Sequence, residues 1–405
     1  MISTLKVVAA APTLSITSQL LGVAQLALLL GTFGATPVTD QYFLLFSWSI
    51  IIPQVLMMGW AYPSLLQSKS HNPRIRRRLV VLSSVGSAIA TCAASYVYGE
   101  LSTVGPANHT LTAMLAVSAF AAGPVWAFSI EAAATGSGMW LAAVALPANF
   151  FAVLALLLPE DSSAAKTTNM ALGIIIGNVS FAILVLMLRA RSRRRVDYPC
   201  EFYPRLRTEY LAYSTAGFGT ATFLQTVAAT LPSSSLSMLA VVNRLVASAV
   251  TTLVSTLLPR LINTKTQNVQ TPPAIIKVGV ASLVIVAAMN LALNKTTTAN
   301  AIPLQQLAGL GLVWFVAAGT NAITQRVAMR DLTPRSTLVG SVAGLIVVVI
   351  AQLLIVAGNL SLPRLLVCYC LVEILSAAWV CSRLSMLTQT VMLIAAACFA
   401  IVSTA

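Results

Sequence analysis

Long apolar runs separated by short polar loops dominate this 405-residue chain. Thirteen runs fall near 11–33, 41–66, 79–98, 110–131, 139–159, 169–189, 209–231, 236–262, 274–293, 303–325, 336–358, 362–381 and 384–403. Each is close to the ~20 residues that a helix needs to cross ~30 Å of hydrocarbon. Strands of a membrane barrel would instead alternate apolar and polar positions over ~10 residues, and these runs are continuous. The pattern predicts an all-α, polytopic membrane protein of about 13 transmembrane helices. The first run lacks a basic stretch before it and a small-x-small cleavage site after it, so it reads as a retained helix rather than a signal peptide.

Composition sharpens the same picture. Hydrophobic residues make up 58% of the chain and charged residues 8%, against about 25% charged in soluble domains. A water-facing surface cannot be covered from so few charges.

The placement of Lys and Arg then orients the chain, because cytoplasmic loops retain positive charge. With the N-terminus inside, 20 of the 24 basic residues fall in cytoplasmic regions. Those regions include Arg74–Arg78 and Arg189–Arg195. Lys166, Lys295 and Arg364 fall outside, and Arg244 lies within a span. An odd number of spans puts the C-terminus outside, in a multi-pass protein of the cytoplasmic membrane. The net charge of +14 is a feature of nucleic-acid binders. Here, however, the basic runs adjoin spans, where each residue attracts anionic lipid by about 1 kcal/mol. Membrane lipid, and not nucleic acid, is the expected partner.

No catalytic or metal chemistry emerges. Cys92, Cys368, Cys370, Cys381 and Cys398 sit in or beside apolar spans and Cys200 in a loop, with no CxxC. His71 and His109 fall on opposite sides, so no cofactor, metal or enzyme activity is expected. Asn108, Asn294 and Asn359 each open an N-x-S/T triplet in an outer loop, which matters only in a eukaryotic secretory setting.

The polar stretch near the middle of the chain divides it. The expected domains are an N-terminal six-helix bundle over 1–190, a basic linker over 191–208, a second bundle over 209–381 and an extra helix over 382–405. A trace of repetition supports two pseudo-symmetric halves. Gly22 corresponds to Gly219, and AYPSLL at 61–66 to LLPRLI at 257–262, at an offset of 196–197. Six helices per repeat make the halves parallel, related by an axis along the membrane normal.

Polar groups inside a bilayer are costly and mark interiors or cavities. Arg244 lies eight residues from the outer end of its span, about 12 Å deep at 1.5 Å per residue. Gln25 shares that depth in the first span, and Gln19 lies farther in. Asn243, Gln225, Asn149, Asn178 and Glu373 also fall within spans. Each amide alternatively only bonds a neighbouring helix, at under ~1–2 kcal/mol. Arg244 alternatively forms a buried pair with Glu373. Asp40 opens the second span, where a helix N-terminus favours a carboxylate. Pro124 and Pro147 would bend the fourth and fifth spans.

Several segments, in order along the chain, carry a family resemblance. SQLLGVAQLALLLGTFGATPVTDQYFLLF (18–46) has Gly22, Phe33–Gly34–Ala35 and Thr39–Asp40 followed by Tyr42–Phe43. LSMLAVVNRLVASAVTTLVSTLLPRL (236–261) has Asn243–Arg244–Leu245, and AMRDLTPRS (328–336) has Arg330, Asp331, Thr333 and Pro334. Together these resemble the lipid II and polysaccharide flippases of the multidrug/oligosaccharidyl-lipid/polysaccharide exporter superfamily. The resemblance implies two bundles facing each other in a V and flipping of a polyprenyl-linked glycolipid by alternating access. It also implies cell-envelope glycosyltransferases as partners, and a substrate site of Arg244, Gln25, Gln19, Asn243, Gln225 and Asp40. Where lipid II flippases carry arginines in the first helix, this chain has Gln19 and Gln25, which leaves Arg244 as the cationic group. Two alternatives stand: an H⁺- or Na⁺-coupled small-molecule exporter of the same superfamily, with Glu373 as its mid-span carboxylate, or a non-transporting membrane scaffold.

Overall fold

The computed structural model describes residues 2–61, 73–101, 108–134, 139–191, 208–262, 271–296, 303–331 and 334–404. Most of the basic linker (192–207), residues 62–66 of the AYPSLL segment and Thr333 lie outside the described residues, as do the side chains of Arg330 and Asp331. Helices occupy all thirteen predicted spans, and no strand occurs among the described residues. They are α1 (Ile2–Phe33), α2 (Pro37–Pro53) continuing as a π-helical segment Gln54–Ala61, α3 (Pro73–Leu101), α4 (His109–Ala134), α5 (Met139–Ala142) and α6 (Leu146–Leu156). There follow α7 (Ser163–Arg191), α8 (Thr208–Ala228), α9 (Ser235–Ile262), α10 (Thr271–Thr296), α11 (Pro303–Asp331), α12 (Pro334–Val356), α13 (Leu362–Arg383) and α14 (Leu387–Val402).

Two spans depart from plain α-helix. The second changes to π-helix directly after Pro53, whose missing N–H removes one bond of the ladder. The fifth breaks into α5 and α6, with Pro147 in the first turn of α6, where proline is tolerated. Pro124 is held inside α4.

Nine helical segments among the described residues are long and apolar enough to cross a membrane, and three shorter apolar helices accompany them. The side-chain pattern agrees with the lengths. On α3, Ser83, Ser84, Ser87, Thr91 and Ser95 face inward, while Val81, Leu82, Val85, Ile89 and Tyr96 face outward. Water would reverse that arrangement. Hydrocarbon permits it, since lipid tails solvate Leu and Val as well as a core does and small residues let helices approach. This is a multi-pass membrane protein.

The described chain forms two compact units, Met1–Val241 and Val242–Ala405. In the first, α3 packs along α4, α4 along α7, and α7 along α6. Ser95 and Thr112 share a hydrogen bond at 2.7 Å between α3 and α4, and Asn178 donates to Ser118 Oγ at 3.0 Å between α7 and α4. The α6–α7 contact is closest, because Gly173 and Gly177 lie against the α6 backbone. A Cβ on Gly177 would stand 2.5 Å from Ala148 Cα. Gly177→Leu is therefore expected to destabilise the unit by about 1–3 kcal/mol through overpacking. A melting temperature equal to that of the wild type would contradict this packing.

In the second unit, α13 is the central helix, packed by α11, α12 and α14, and α14 also lies on α10. Trp314 and Tyr369 meet with ring centroids 4.5 Å apart between α11 and α13.

Candidate functional site

Polar groups of the first unit are set on α1 and along a seam between the second span and α8. On α1, Ser15, Ser18, Gly22, Gln25 and Leu29 form one helical stripe and all are buried. Asn149 reaches that stripe from α6, donating Nδ2 to the Ser18 carbonyl at 2.9 Å. Gln25 donates Nε2 to the Tyr42 hydroxyl at 3.2 Å, and the Tyr42 ring stacks on Phe46 with centroids 5.7 Å apart. Gln25 is thus engaged within the unit. Gln19, off the stripe, is half-buried.

Asp40 shows the densest hydrogen bonding. Its own helix, α2, is capped by Thr36 and Thr39 in a reciprocal box, so the carboxylate is free to serve elsewhere. It accepts from the backbone N–H of Ser234 at 2.7 Å and of Ser237 at 2.8 Å, and from the Ser237 hydroxyl at 2.5 Å. Those are first-turn donors of α9, so Asp40 caps a helix far away in the chain. Thr39 Oγ1 joins the Ser237 hydroxyl at 2.9 Å. Ser234 stands at φ 80°, a left-handed conformation that costs a serine about 1–2 kcal/mol, and the bond from its N–H to Asp40 holds it there.

From this clasp the second span runs antiparallel to α8. Trp48 Nε1 donates to Thr226 Oγ1 at 3.0 Å, and the Trp48 ring meets Phe223 edge-on at 5.9 Å. Farther along, Ser214 donates to the Val55 carbonyl at 3.2 Å within the π-helical segment. Gly59 packs on Ser214, leaving no room for a Cβ. Gln225 lies on the same helix, buried. The seam from Asp40 to Gly59 spans about 30 Å at 1.5 Å per residue, the thickness of the hydrocarbon core.

The second unit begins just before Asn243 and Arg244 on α9, and both are half-buried. Gln19, Asn243 and Arg244 are therefore the more accessible of the six residues singled out from the sequence; Gln25, Asp40 and Gln225 are buried. Glu373 accepts from Asn321 Nδ2 at 2.6 Å, and Gln325 Nε2 donates to Asn321 Oδ1 at 3.3 Å and to Ser376 Oγ at 2.8 Å. Sequence reading marked Tyr42 as part of the family motif without placing it in the site, and missed Ser234, Ser237, Asn321, Gln325 and Ser376. The clasp alone left a signal: Asp40 and Ser237 are 197 positions apart, the same offset that relates Gly22 to Gly219.

No family model matches the chain, and no curated protein matches it by sequence. Among solved structures, the lipid II flippase MurJ in an inward closed conformation matches with a TM-score of 0.65 at 13% identity, over 94% of this chain and 90% of that one. The chain has the lipid II flippase fold. A second solved chain, described as protein A, matches with a TM-score of 0.59 at 12% identity over 94% of each. The MurJ-like fold covers both units, so neither is an appended domain, and the family resemblance read from the sequence holds at the level of fold. The side chains differ, as 13% identity requires.

Proposed function

We propose that this protein moves a polyprenyl-phosphate-linked glycolipid from the inner to the outer leaflet of the cytoplasmic membrane by alternating access. The observation that carries the proposal is the MurJ-like fold running the length of the chain. A sugar-phosphate head group cannot cross ~30 Å of hydrocarbon unaided, so a polar path is required while the prenyl tail stays in lipid. Arg244 is the group for the phosphate, through charge-assisted hydrogen bonds. Gln19 and Asn243, half-buried like Arg244, donate to sugar or phosphate oxygens. Gln25 and Asp40 act at one remove: Gln25 fixes Tyr42, and Asp40 holds the start of α9, the helix that carries Arg244. Glycosyltransferases that build the head group are the corresponding partners.

Glutamine at positions 19 and 25 brings no countercharge. A pyrophosphate carries more negative charge than one arginine neutralises, and an uncompensated buried charge costs several kcal/mol. The favoured head group is accordingly a polyprenyl monophosphate sugar. Translocation of such a lipid by the purified protein in sealed vesicles tests the reading.

The orientation belongs to the same proposal, with the N-terminus and the loop containing Ser192 inside and Asn108 outside. Impermeant thiol reagent applied from outside is expected to modify Asn108→Cys and to miss Ser192→Cys. The reverse labelling would invert the topology and the direction of transport with it.

A further inference from the structure

One exposed side chain of the second unit is at odds with its surroundings. Between Ser341 and Asn359 the chain has a single polar residue, Gln352. It lies in the apolar part of α12, Gly344–Val356, about 10 Å along the helix from Asn359 at 1.5 Å per residue. α12 packs chiefly on α13, with a minor contact to α11. Leu345, Val349 and Val356 recur with Gln352 at three- and four-residue spacing, so the four share one face. Those three apolar residues are 48–86% exposed. Gln352 is exposed among them and has no hydrogen-bond partner among the described residues. A face lining an aqueous path would be polar, whereas this one is apolar around the amide and suits hydrocarbon. Hydrocarbon offers an amide nothing to bond. The exposed hydroxyls of Thr17, Thr32 and Thr215 escape that cost, because each bonds back to the carbonyl four residues earlier, at 2.9, 3.2 and 2.8 Å. Gln352 needs a partner from outside the unit.

We propose that the exposed face of α12 docks on the same face of a second copy of this chain, with Gln352 bonded to the partner's Gln352. Two copies in one membrane share an orientation, so a two-fold axis along the membrane normal sets α12 parallel to α12. Equivalent residues then meet at equal depth, as a self-complementary interface requires. A glutamine amide carries both donor and acceptor. Each copy's carbonyl can therefore accept from the other's NH2, whereas a charged residue at this position would repel its own copy. A different membrane helix would need a polar group at a matching depth; the second copy supplies one by symmetry. Lipid tails solvate Leu345, Val349 and Val356 as well as a partner does, so the apolar stripe gives packing and the amide pair the preference for association. One polar residue in an apolar helix seam also fixes register and the number of strands.

The inference does not depend on the flippase reading, because association is measured without lipid substrate. The full-length protein, carrying one fluorophore at its N-terminus, is reconstituted in vesicles over a range of protein-to-lipid ratios. Photobleaching steps then count the chains in each particle. The wild type is expected to pass from one step to two as the ratio rises, and to stop at two. Gln352→Leu, which suits hydrocarbon and removes the amide, is expected to weaken association by about tenfold. Gln352→Asn keeps an amide and should retain more of it. Position is read separately by oxidative cross-linking, with the exposed thiols Cys92 and Cys398 replaced by serine. Val349→Cys should then form a covalent dimer, and Val85→Cys on α3 should not. Single steps at every ratio, wild-type association in Gln352→Leu, or cross-linking at Val85→Cys but not Val349→Cys would each overturn the interface. A monomer in which Gln352→Leu slows glycolipid movement would put Gln352 on the lipid path and overturn it as well. Dimers without glycolipid movement leave the interface standing and remove the flippase reading.

Discussion

Arg244→Ala is expected to lower glycolipid translocation by about ten- to 150-fold, the equivalent of the about 1.5–3 kcal/mol that a hydrogen bond to a charged group contributes. Arg244 lies about 12 Å inside its span at 1.5 Å per residue, and Gln19 and Asn243 can donate hydrogen bonds without supplying charge. Loss of the guanidinium leaves a phosphate with no countercharge in a low-dielectric surround, where such interactions are strongest. Arg244→Lys keeps the charge as a point and loses the planar fork, so it should retain an intermediate rate. Arg244→Gln should behave like the alanine variant, because charge and not hydrogen bonding is what is missing. Translocation by Arg244→Ala within twofold of wild type, at equal protein in the vesicles, would remove Arg244 from the site.

The second large effect is expected at Asp40. Asp40→Ala removes the acceptor for two backbone N–H groups and a hydroxyl at the start of α9. Losing a helix cap alone costs about 0.5–2 kcal/mol, and each buried donor left unmatched costs about 1–3 kcal/mol. These overlap, so a loss of about 2 kcal/mol or more is expected for the first unit. Ser234, at φ 80°, would lose the contact that holds its left-handed backbone. Asp40→Asn keeps one acceptor and turns an NH2 donor toward another donor, so it should recover only part of the loss. Transport should fall in the same order, because the clasp fixes where α9, and Arg244 on it, begins. Thermal melting of the purified variants measures the first effect and vesicle assays the second. A melting temperature for Asp40→Ala indistinguishable from the wild type would show that the clasp holds nothing.

Much of this architecture was legible because hydrocarbon imposes one strong rule. Every spanning segment must satisfy its own backbone, so each of the thirteen apolar runs is occupied by helix among the described residues. Pro147 announced the interruption of the fifth span, although the break falls ahead of it, at 143–145. Pro53 stands directly before the π-helical segment Gln54–Ala61, but the seat of that segment left no mark, since Gly59 and Val55 meet Ser214 on a distant helix. The buried hydroxyls of α3 were equally silent: a hydropathy scale treats serine as nearly neutral, and only packing shows which way it faces. Asp40 was legible as a carboxylate suited to a helix N-terminus, but the helix it caps begins almost 200 residues later. Glu373 offered Arg244 as its evident partner by charge. The structure supplies Asn321, 52 positions away, through a helix contact that no local spacing encodes.

The central claim is tested most directly in sealed vesicles holding the purified protein and a fluorescent polyprenyl glycolipid in one leaflet. Matched lipids carrying the same sugar on a monophosphate and on a pyrophosphate are compared, and appearance in the opposite leaflet is read by an impermeant quencher. The account predicts protein-dependent movement of the monophosphate lipid, faster than that of the pyrophosphate lipid, and suppressed by Arg244→Ala. Movement of neither lipid above protein-free vesicles would contradict the flippase reading. Faster movement of the pyrophosphate lipid, unaltered by Gln25→Arg, would contradict the charge argument on which the substrate class rests.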